Sequence, residues 1–408
     1  MEWYWLLGVA AIALLGTVLA TPVSMKLAKR FDVIDYPGGR RINTKPIARL
    51  GGVAIFVGLV LSLGFIVIVN WLDPDVLDIR GINQTVNYLG VGASMATIFA
   101  VGLLDDIFQL KPWLKFLGQI AAAVIATLSG VVFSHFFNPF GPGVISIGVF
   151  AYPVTVFYLI SFANIINLID GLDGLAAGVT AICATALFAL SFTTGSMDAS
   201  LVAVALVGIC VGFLFFNFHP AKIFMGDGGA LLLGFCLGLV SLFGVVKTTA
   251  LISLLIPVVI AGIPVIDTFT TIVRRLRAGQ PISKADSAHV HHRFINLGYS
   301  QRTTVLIIYG ISIVLAILAV LISEDKSFMR IVYALVLVII VALLIWRLGL
   351  LNSILSHHYE KRSKPQSPES DDAGNAGSAD SKTALDEVAL ADDGALADDG
   401  KLKDEDDT

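Results

Sequence analysis

The chain has 408 residues, 56% of them hydrophobic and 14% charged, where soluble proteins carry about 25% charged residues. Together with a mean hydropathy of +0.84, this excludes a soluble enzyme, a nucleic-acid-binding module and a disordered protein, and describes a polytopic membrane protein. The net charge of −4 divides unevenly: residues 360–408 carry 15 acidic and 6 basic side chains, net −9, and the remainder is net +5.

Crossing the hydrocarbon core takes about 20 mostly apolar residues per helix. In chain order such stretches fall at 3–22, 50–70, 88–104, 116–133, 152–169, 175–194, 200–217, 228–246, 249–269, 303–322 and 329–348. The expected fold is therefore all-α, with about eleven transmembrane helices. The first stretch reads as a helix rather than a secretory signal, because no basic segment precedes it and no small-residue cleavage site follows cleanly.

The loop after the first span holds Lys26, Lys29, Arg30, Arg40, Arg41, Lys45 and Arg49, and the loop after the ninth holds Arg274, Arg275, Arg277, Lys284, Arg293 and Arg302. The opposite side carries only Arg80, Lys247, Lys326 and Arg330. The basic loops are expected in the cytoplasm, which puts the N-terminus outside and the C-terminus inside. A membrane domain over 1–350 is then followed by a cytoplasmic acidic tail over 351–408. The tail repeats Leu-Ala-Asp-Asp-Gly and holds too little apolar surface to order itself. Cys183, Cys210 and Cys236 lie inside apolar runs and read as small core residues.

The informative residues stand at span ends. Asp105 and Asp106 close the third span, and Asn164, Asn167, Asp170 and Asp173 close the fifth. Asp227 opens the eighth within Phe224-Met225-Gly226-Asp227-Gly228-Gly229. Asp267 nears the end of the ninth, followed in the long basic loop by His289, His291, His292 and Arg293. On the span count above, all of them emerge on the cytoplasmic face. Carboxylates at the edge of hydrocarbon are costly and repel one another unless a cation neutralises them. Mg²⁺ takes oxygen ligands and leaves several positions to water and phosphate, so an acidic site facing a basic loop suits a metal-bound diphosphate.

Asn164, Asn167 and Asp170 are spaced to share one helix face. Asp173 leaves that face unless Gly171 and Gly174 bend the chain. Asp105 and Asp106, about 100° apart on a helix, are expected to play different roles. The glycines around Asp227 allow close backbone approach at a helix start, where N–H groups favour anions. Pro257 and Pro264 predict a break in the ninth span. His289, His292 and Arg293 share a helical face and, without a nearby Cys, suit diphosphate and sugar oxygens better than Zn²⁺. His135, His357 and His358 read as surface residues, and His219 as a packing or capping residue.

The stretches Gly102–Asp106 (GLLDD), Lys115–Gln119 (KFLGQ), Asn164–Leu175 (NIINLIDGLDGL), Phe216–Gly229 (FNFHPAKIFMGDGG) and His289–Arg293 (HVHHR) together resemble the polyprenyl-phosphate N-acetylhexosamine-1-phosphate transferases. The resemblance runs from about Asp35 to Thr304, and the nearest branch is the undecaprenyl-phosphate GlcNAc-1-phosphate transferases. It implies UDP-GlcNAc as donor, undecaprenyl phosphate as acceptor, and Mg²⁺ as cofactor with Mn²⁺ able to substitute. The setting it implies is the bacterial plasma membrane with a cytoplasmic active site, no nucleic-acid partner, and a homodimer left open.

By the same resemblance, Asp105, Asp106, Asp170, Asp173, His291 and His292 are the catalytic candidates. Lys45, Lys115, Asn164, Asn167, Phe224, Asp267, His289 and Arg293 are the substrate-binding candidates, with Phe224 stacking on uracil. Asn167 and Asp227 are the expected metal ligands. The first cytoplasmic loop departs from the family pattern, carrying Asn43 and Ala48 where a His and a Pro are common. Two rivals stand beside this reading. One is the sister enzyme that uses UDP-MurNAc-pentapeptide. The other is a secondary transporter, whose carboxylates would lie near the bilayer midplane rather than at one surface.

Overall fold

The computed structural model describes residues 3–37, 45–72, 86–137, 144–245, 298–324 and 329–347. Ten α-helices account for most of them: α1 (Trp3–Arg30), α2 (Gly51–Leu72), α3 (Tyr88–Phe108), α4 (Pro112–Leu128), α5 (Ala151–Ile169), α6 (Leu175–Thr193), α7 (Met197–Asn217), α8 (Gly226–Val245), α9 (Gln301–Glu324) and α10 (Met329–Arg347). Eight helices among the described residues are long and apolar enough to cross a membrane, and α4 and part of α10 form shorter apolar helices. The chain is a polytopic helical membrane protein. Ten of the eleven expected apolar stretches are helices; the stretch 249–269 lies outside the described residues.

Two small antiparallel hairpins interrupt the all-helical expectation. Strands β1 (Ile34–Asp35) and β2 (Ile47–Ala48) pair between α1 and α2, and β3 (His135–Phe137) and β4 (Val144–Ser146) pair between α4 and α5. Such short pairings carry no hydropathy signal.

Helix boundaries move in ways that matter for chemistry. Helix α3 continues past residue 104 to Phe108 and stops where Gln109 turns left-handed, its N–H donating to the Asp105 carbonyl. Asp105 and Asp106 are thus inside the last helical turn. Pro112 at the first position of α4 starts that helix early, because a missing N–H is harmless there. Lys115 therefore sits within α4 rather than ahead of it.

Helix α8 is the hub, packed by α2, α3, α5, α6 and α7 and apolar all round, as a fully enclosed helix requires. Small residues let its neighbours come close. A Cβ at Gly102 of α3 would stand 2.5 Å from the Asp227 carbonyl oxygen and 2.6 Å from Gly228 Cα. Gly52 of α2 approaches the backbone of Gly228 and Gly229 in the same way. We expect Gly102→Ala to lower stability in detergent by about 1–3 kcal/mol through overpacking. Gly92→Ala on the same helix, where a Cβ meets nothing within 4 Å, should leave the melting temperature unchanged.

Candidate active site

The site forms where the end of α3, the starts of α4 and α8, and the end of α5 converge. Helix α8 begins at Gly226, whose φ of 70° admits few side chains; a Cβ there would also meet Asp106 Oδ2 at 2.5 Å. The first N–H groups of a helix have no partner within it. Here the partner comes from another helix. Asp227 N donates to Asp106 Oδ1 at 2.8 Å and Gly228 N to Asp106 Oδ2 at 2.9 Å. The Asp106 side chain is only 1% exposed, and Arg49 Nε lies 3.3 Å from its Oδ1. Asp106 is thus engaged in holding the first turn of α8.

Arg49 is delivered by backbone pairing. Phe224 N donates to Ala48 O at 2.8 Å, Gly51 N to Phe224 O at 2.9 Å and Gly52 N to Met225 O at 2.7 Å. The segments before α2 and before α8 are therefore one stitched unit, with Ala48 and Ile223 bridged in parallel.

Asp227 is the centre of the charged network. Its Oδ1 accepts from Asn167 Nδ2 at 3.0 Å and from Arg49 Nη2 at 3.4 Å, and its Oδ2 accepts from Lys115 Nζ. Lys115 Nζ also reaches Asp105 Oδ2 at 3.0 Å, so one ammonium joins two carboxylates. One turn along α4, Gln119 exchanges amide hydrogen bonds with Asn164 of α5, at 2.6 Å for Asn164 Nδ2 to Gln119 Oε1. That pair fixes how α4 is rotated against α5 and so aims Lys115. Asp170 ends α5. Burial pushes its carboxyl up to about 7, the charge of Asp227 adds to this, and Arg49 opposes it.

Asp173 does leave the face of Asn167. The turn before α6 carries it to His219, whose Nδ1 lies 2.8 Å from Asp173 Oδ2, and to Ala221 N, which donates to the same oxygen at 3.1 Å. Asn217 completes this joint: Gly174 N donates to its Oδ1 at 3.1 Å, and its Nδ2 donates to Ile223 O at 2.9 Å. From α9, Tyr309 O–H donates to Gly174 O at 2.5 Å and Arg302 Nε to His219 O at 3.2 Å. Asp173 thus braces the segment leading into Asp227.

Asp105, Asp106, Lys115, Asn167 and Asp227 come together in direct contact, with Asp170 alongside. Asn164 faces Gln119, Phe224 is half-buried and stitched through its backbone, and Lys45 is exposed ahead of β2. Asp267, His289, His291, His292 and Arg293 lie outside the described residues. Three contributors went unnoticed in the sequence. Arg49 was one basic residue among seven in its loop, though it directly precedes Leu50-Gly51-Gly52. Gln119 and Asn217 lie inside recognised motifs, but neutral amides in apolar runs carry no charge signal.

The donor set can be tested against a divalent cation. Asp105, Asn167, Asp170 and Asp227 offer oxygen alone, which suits a hard cation. Among the described residues no three His, Cys, Asp or Glu side chains are grouped to hold a metal ion. The residue types fit a cation held by one or two protein oxygens and completed by water and phosphate.

A bundle of membrane-length helices with a carboxylate–cation network where helix ends meet describes a multi-pass membrane protein. The family model for glycosyl transferase family 4 matches residues 88–245. The chain is 34% identical over 341 residues to the Bacillus subtilis protein described as "Probable undecaprenyl-phosphate N-acetylglucosaminyl 1-phosphate transferase", covering 84% of this chain and 91% of that protein. It is 35% identical to the decaprenyl-phosphate N-acetylglucosaminephosphotransferase of Mycolicibacterium smegmatis, over 74% of this chain and 78% of the relative. It is also 31% identical to the phospho-N-acetylmuramoyl-pentapeptide-transferase of Desulforamulus reducens, over 78% and 95%. The chain belongs to the polyprenyl-phosphate N-acetylhexosamine-1-phosphate transferases.

Because Lys115 joins Asp105 to Asp227, we expect Lys115→Met to reduce turnover about 100-fold, the scale of losing one charged donor at a transferring phosphoryl group. The detergent melting temperature should fall as well, because Asp105 and Asp227 lose the cation between them, while the Gln119–Asn164 contact keeps α4 against α5.

Proposed function

We propose that the protein transfers GlcNAc-1-phosphate from UDP-GlcNAc to undecaprenyl phosphate, giving undecaprenyl-diphospho-GlcNAc and UMP. The observation that carries this reading is the contact chain Asp105–Lys115–Asp227, with Asn167 and Arg49 on the far side of Asp227. Two acids and two cations arranged in sequence suit an acceptor phosphate and a donor diphosphate meeting in line. The similarity to the Bacillus subtilis and Mycolicibacterium smegmatis proteins supports the GlcNAc donor and the polyprenyl acceptor.

In this reading an oxygen of the lipid phosphate attacks the β-phosphorus of UDP-GlcNAc, the bond to the bridging oxygen breaks, and that oxygen leaves with UMP. Such transfer is mostly positioning and charge neutralisation. Asp105 orients the lipid phosphate and takes a proton from it where one remains. Lys115 meets the negative charge shared between acceptor and donor. Asp227 and Asn167 would hold Mg²⁺, or Mn²⁺ in its place, which supplies neutralisation of the diphosphate when bound. Asp170 adds acidity beside them, and Phe224 lies along the approach proposed for uracil. Lys45 and Asp267 are assigned to substrate binding, His289 and Arg293 to the diphosphate and sugar, and His291 and His292 to catalysis.

The basic loops argue for a cytoplasmic site in the bacterial plasma membrane, with residues 1–350 as the catalytic membrane domain and 351–408 as an acidic tail. The product would begin a surface glycan such as teichoic acid or O-antigen. Similarity to the Desulforamulus reducens protein favours one second reading, transfer of phospho-MurNAc-pentapeptide.

Two outcomes test this reading. Asp227→Asn should reduce UMP release at least about 1,000-fold while the protein stays folded in detergent, as expected for the loss of a charge at the reacting phosphates. Near-normal activity that still needs Mg²⁺ would remove Asp227 from the metal. With both donors and undecaprenyl phosphate present, UDP-GlcNAc should be consumed and UDP-MurNAc-pentapeptide spared. Arg293→Lys should be strongly impaired, because an ammonium lacks the planar fork of donors. Preferential use of the pentapeptide donor would overturn the sugar assignment and leave the phosphotransfer in place.

A further inference from the structure

Asp106 poses a question that the reaction scheme leaves open. Its carboxylate is almost wholly enclosed, and both of its oxygens are taken by the N–H groups of Asp227 and Gly228. Two backbone donors alone leave a full negative charge in apolar surroundings, which is costly without a cation. The cation is Arg49, and it does more than neutralise. Its Nε faces Asp106 Oδ1 at 3.3 Å while its Nη2 faces Asp227 Oδ1 at 3.4 Å. One planar group therefore spans two carboxylates from two different helices.

The anchoring of Arg49 is equally specific. Residues on both sides of it are hydrogen-bonded to the segment that leads into Asp227, through Ala48 O, Gly51 N and Gly52 N, and Arg49 N donates to Val33 O at 3.1 Å. The guanidinium is thus fixed relative to the same backbone that carries Asp227. Asn167 is the other donor to Asp227 Oδ1, so Arg49 and Asn167 together set the plane of that carboxylate while Lys115 holds Oδ2.

We propose that Arg49 is a positioning residue for the transfer: it pairs with the Asp106 carboxyl that caps α8 and holds the Asp227 carboxylate in its reactive orientation. It acts through these two acids. Lys in its place offers one compact ammonium, which satisfies one carboxylate and releases the other. The inference rests on the phosphotransfer reading for its kinetic consequence, and on geometry alone for its structural one.

The experiment has two arms on full-length wild type, Arg49→Lys and Arg49→Gln in detergent. In the first, UMP release with UDP-GlcNAc and undecaprenyl phosphate should show kcat reduced about 30-fold in Arg49→Lys, with KM for UDP-GlcNAc within about threefold, the pattern of an interaction realised in the transition state. In the second, amide hydrogen exchange followed by mass spectrometry should show Asp227 and Gly228 exchanging about tenfold faster, with the buried middle of α8 unchanged. A kcat in Arg49→Lys within twofold of wild type overturns the proposal, as does a raised KM with kcat kept. Unchanged exchange at Asp227 and Gly228 overturns it too. A loss of melting temperature and faster exchange throughout α8 in both variants would make Arg49 a general packing residue and also overturns it. Wild type that releases no UMP defeats the phosphotransfer reading instead, and the exchange arm still decides whether Arg49 positions Asp227.

Discussion

An enclosed carboxylate at the start of an enclosed helix is the constraint around which the molecule is organised. The first N–H groups of α8 have no partner within the helix, and at Asp227 and Gly228 they are met from another helix. Asp106 supplies the acceptors from the end of α3, and Arg49 supplies the charge that makes Asp106 tolerable there. Each requirement calls for the next: Gly226 so that Asp106 can approach, Gly102 so that α3 can, and Gly52 so that α2 can bring Arg49 alongside. The ends of three chain segments are thereby locked together before any substrate is considered.

The reactive acids inherit their geometry from that lock. Asp227 follows Gly226 directly, so fixing the first turn of α8 fixes its Cα. Lys115, Asn167 and Arg49 then choose its rotamer. The pairing of Asp173 with His219 plays the corresponding part on the other side, bracing the approach to α8 from the turn before α6. Adjacent acids in the sequence therefore do different work. Asp106 is enclosed and capping, while Asp105 meets Lys115 from the more open side of the same helical turn.

Much of this was legible in the sequence, for physical reasons that differ between elements. Apolar runs about twenty residues long have few alternatives in a chain this hydrophobic, so the helices could be read off directly, and acids at their ends were conspicuous against that background. The joining of Asp105 to Asp227 through Lys115 was beyond reach, because it depends on how three helices rotate. So were the reciprocal amides of Gln119 and Asn164, where nothing in a neutral side chain distinguishes packing from pairing. Arg49 was hidden by its company: a loop with seven cations gives a clear orientation signal and no indication of which one turns inward. Helical spacing alone takes Asp173 off the face of Asn167, but nothing in the sequence pointed to His219 as its partner.

Helix α4 is apolar on its outer side beside these residues. At 17 residues it is the shortest helix described, spanning about 25 Å where the hydrocarbon core is about 30 Å thick. A bilayer meeting so short a segment thins locally, or flanking side chains stretch to the interface. Exposed Trp113, Leu114, Phe116 and Leu117 cluster in its first two turns, beside Lys115. An exposed apolar surface and the lysine that joins Asp105 to Asp227 therefore share the same two turns of one short helix.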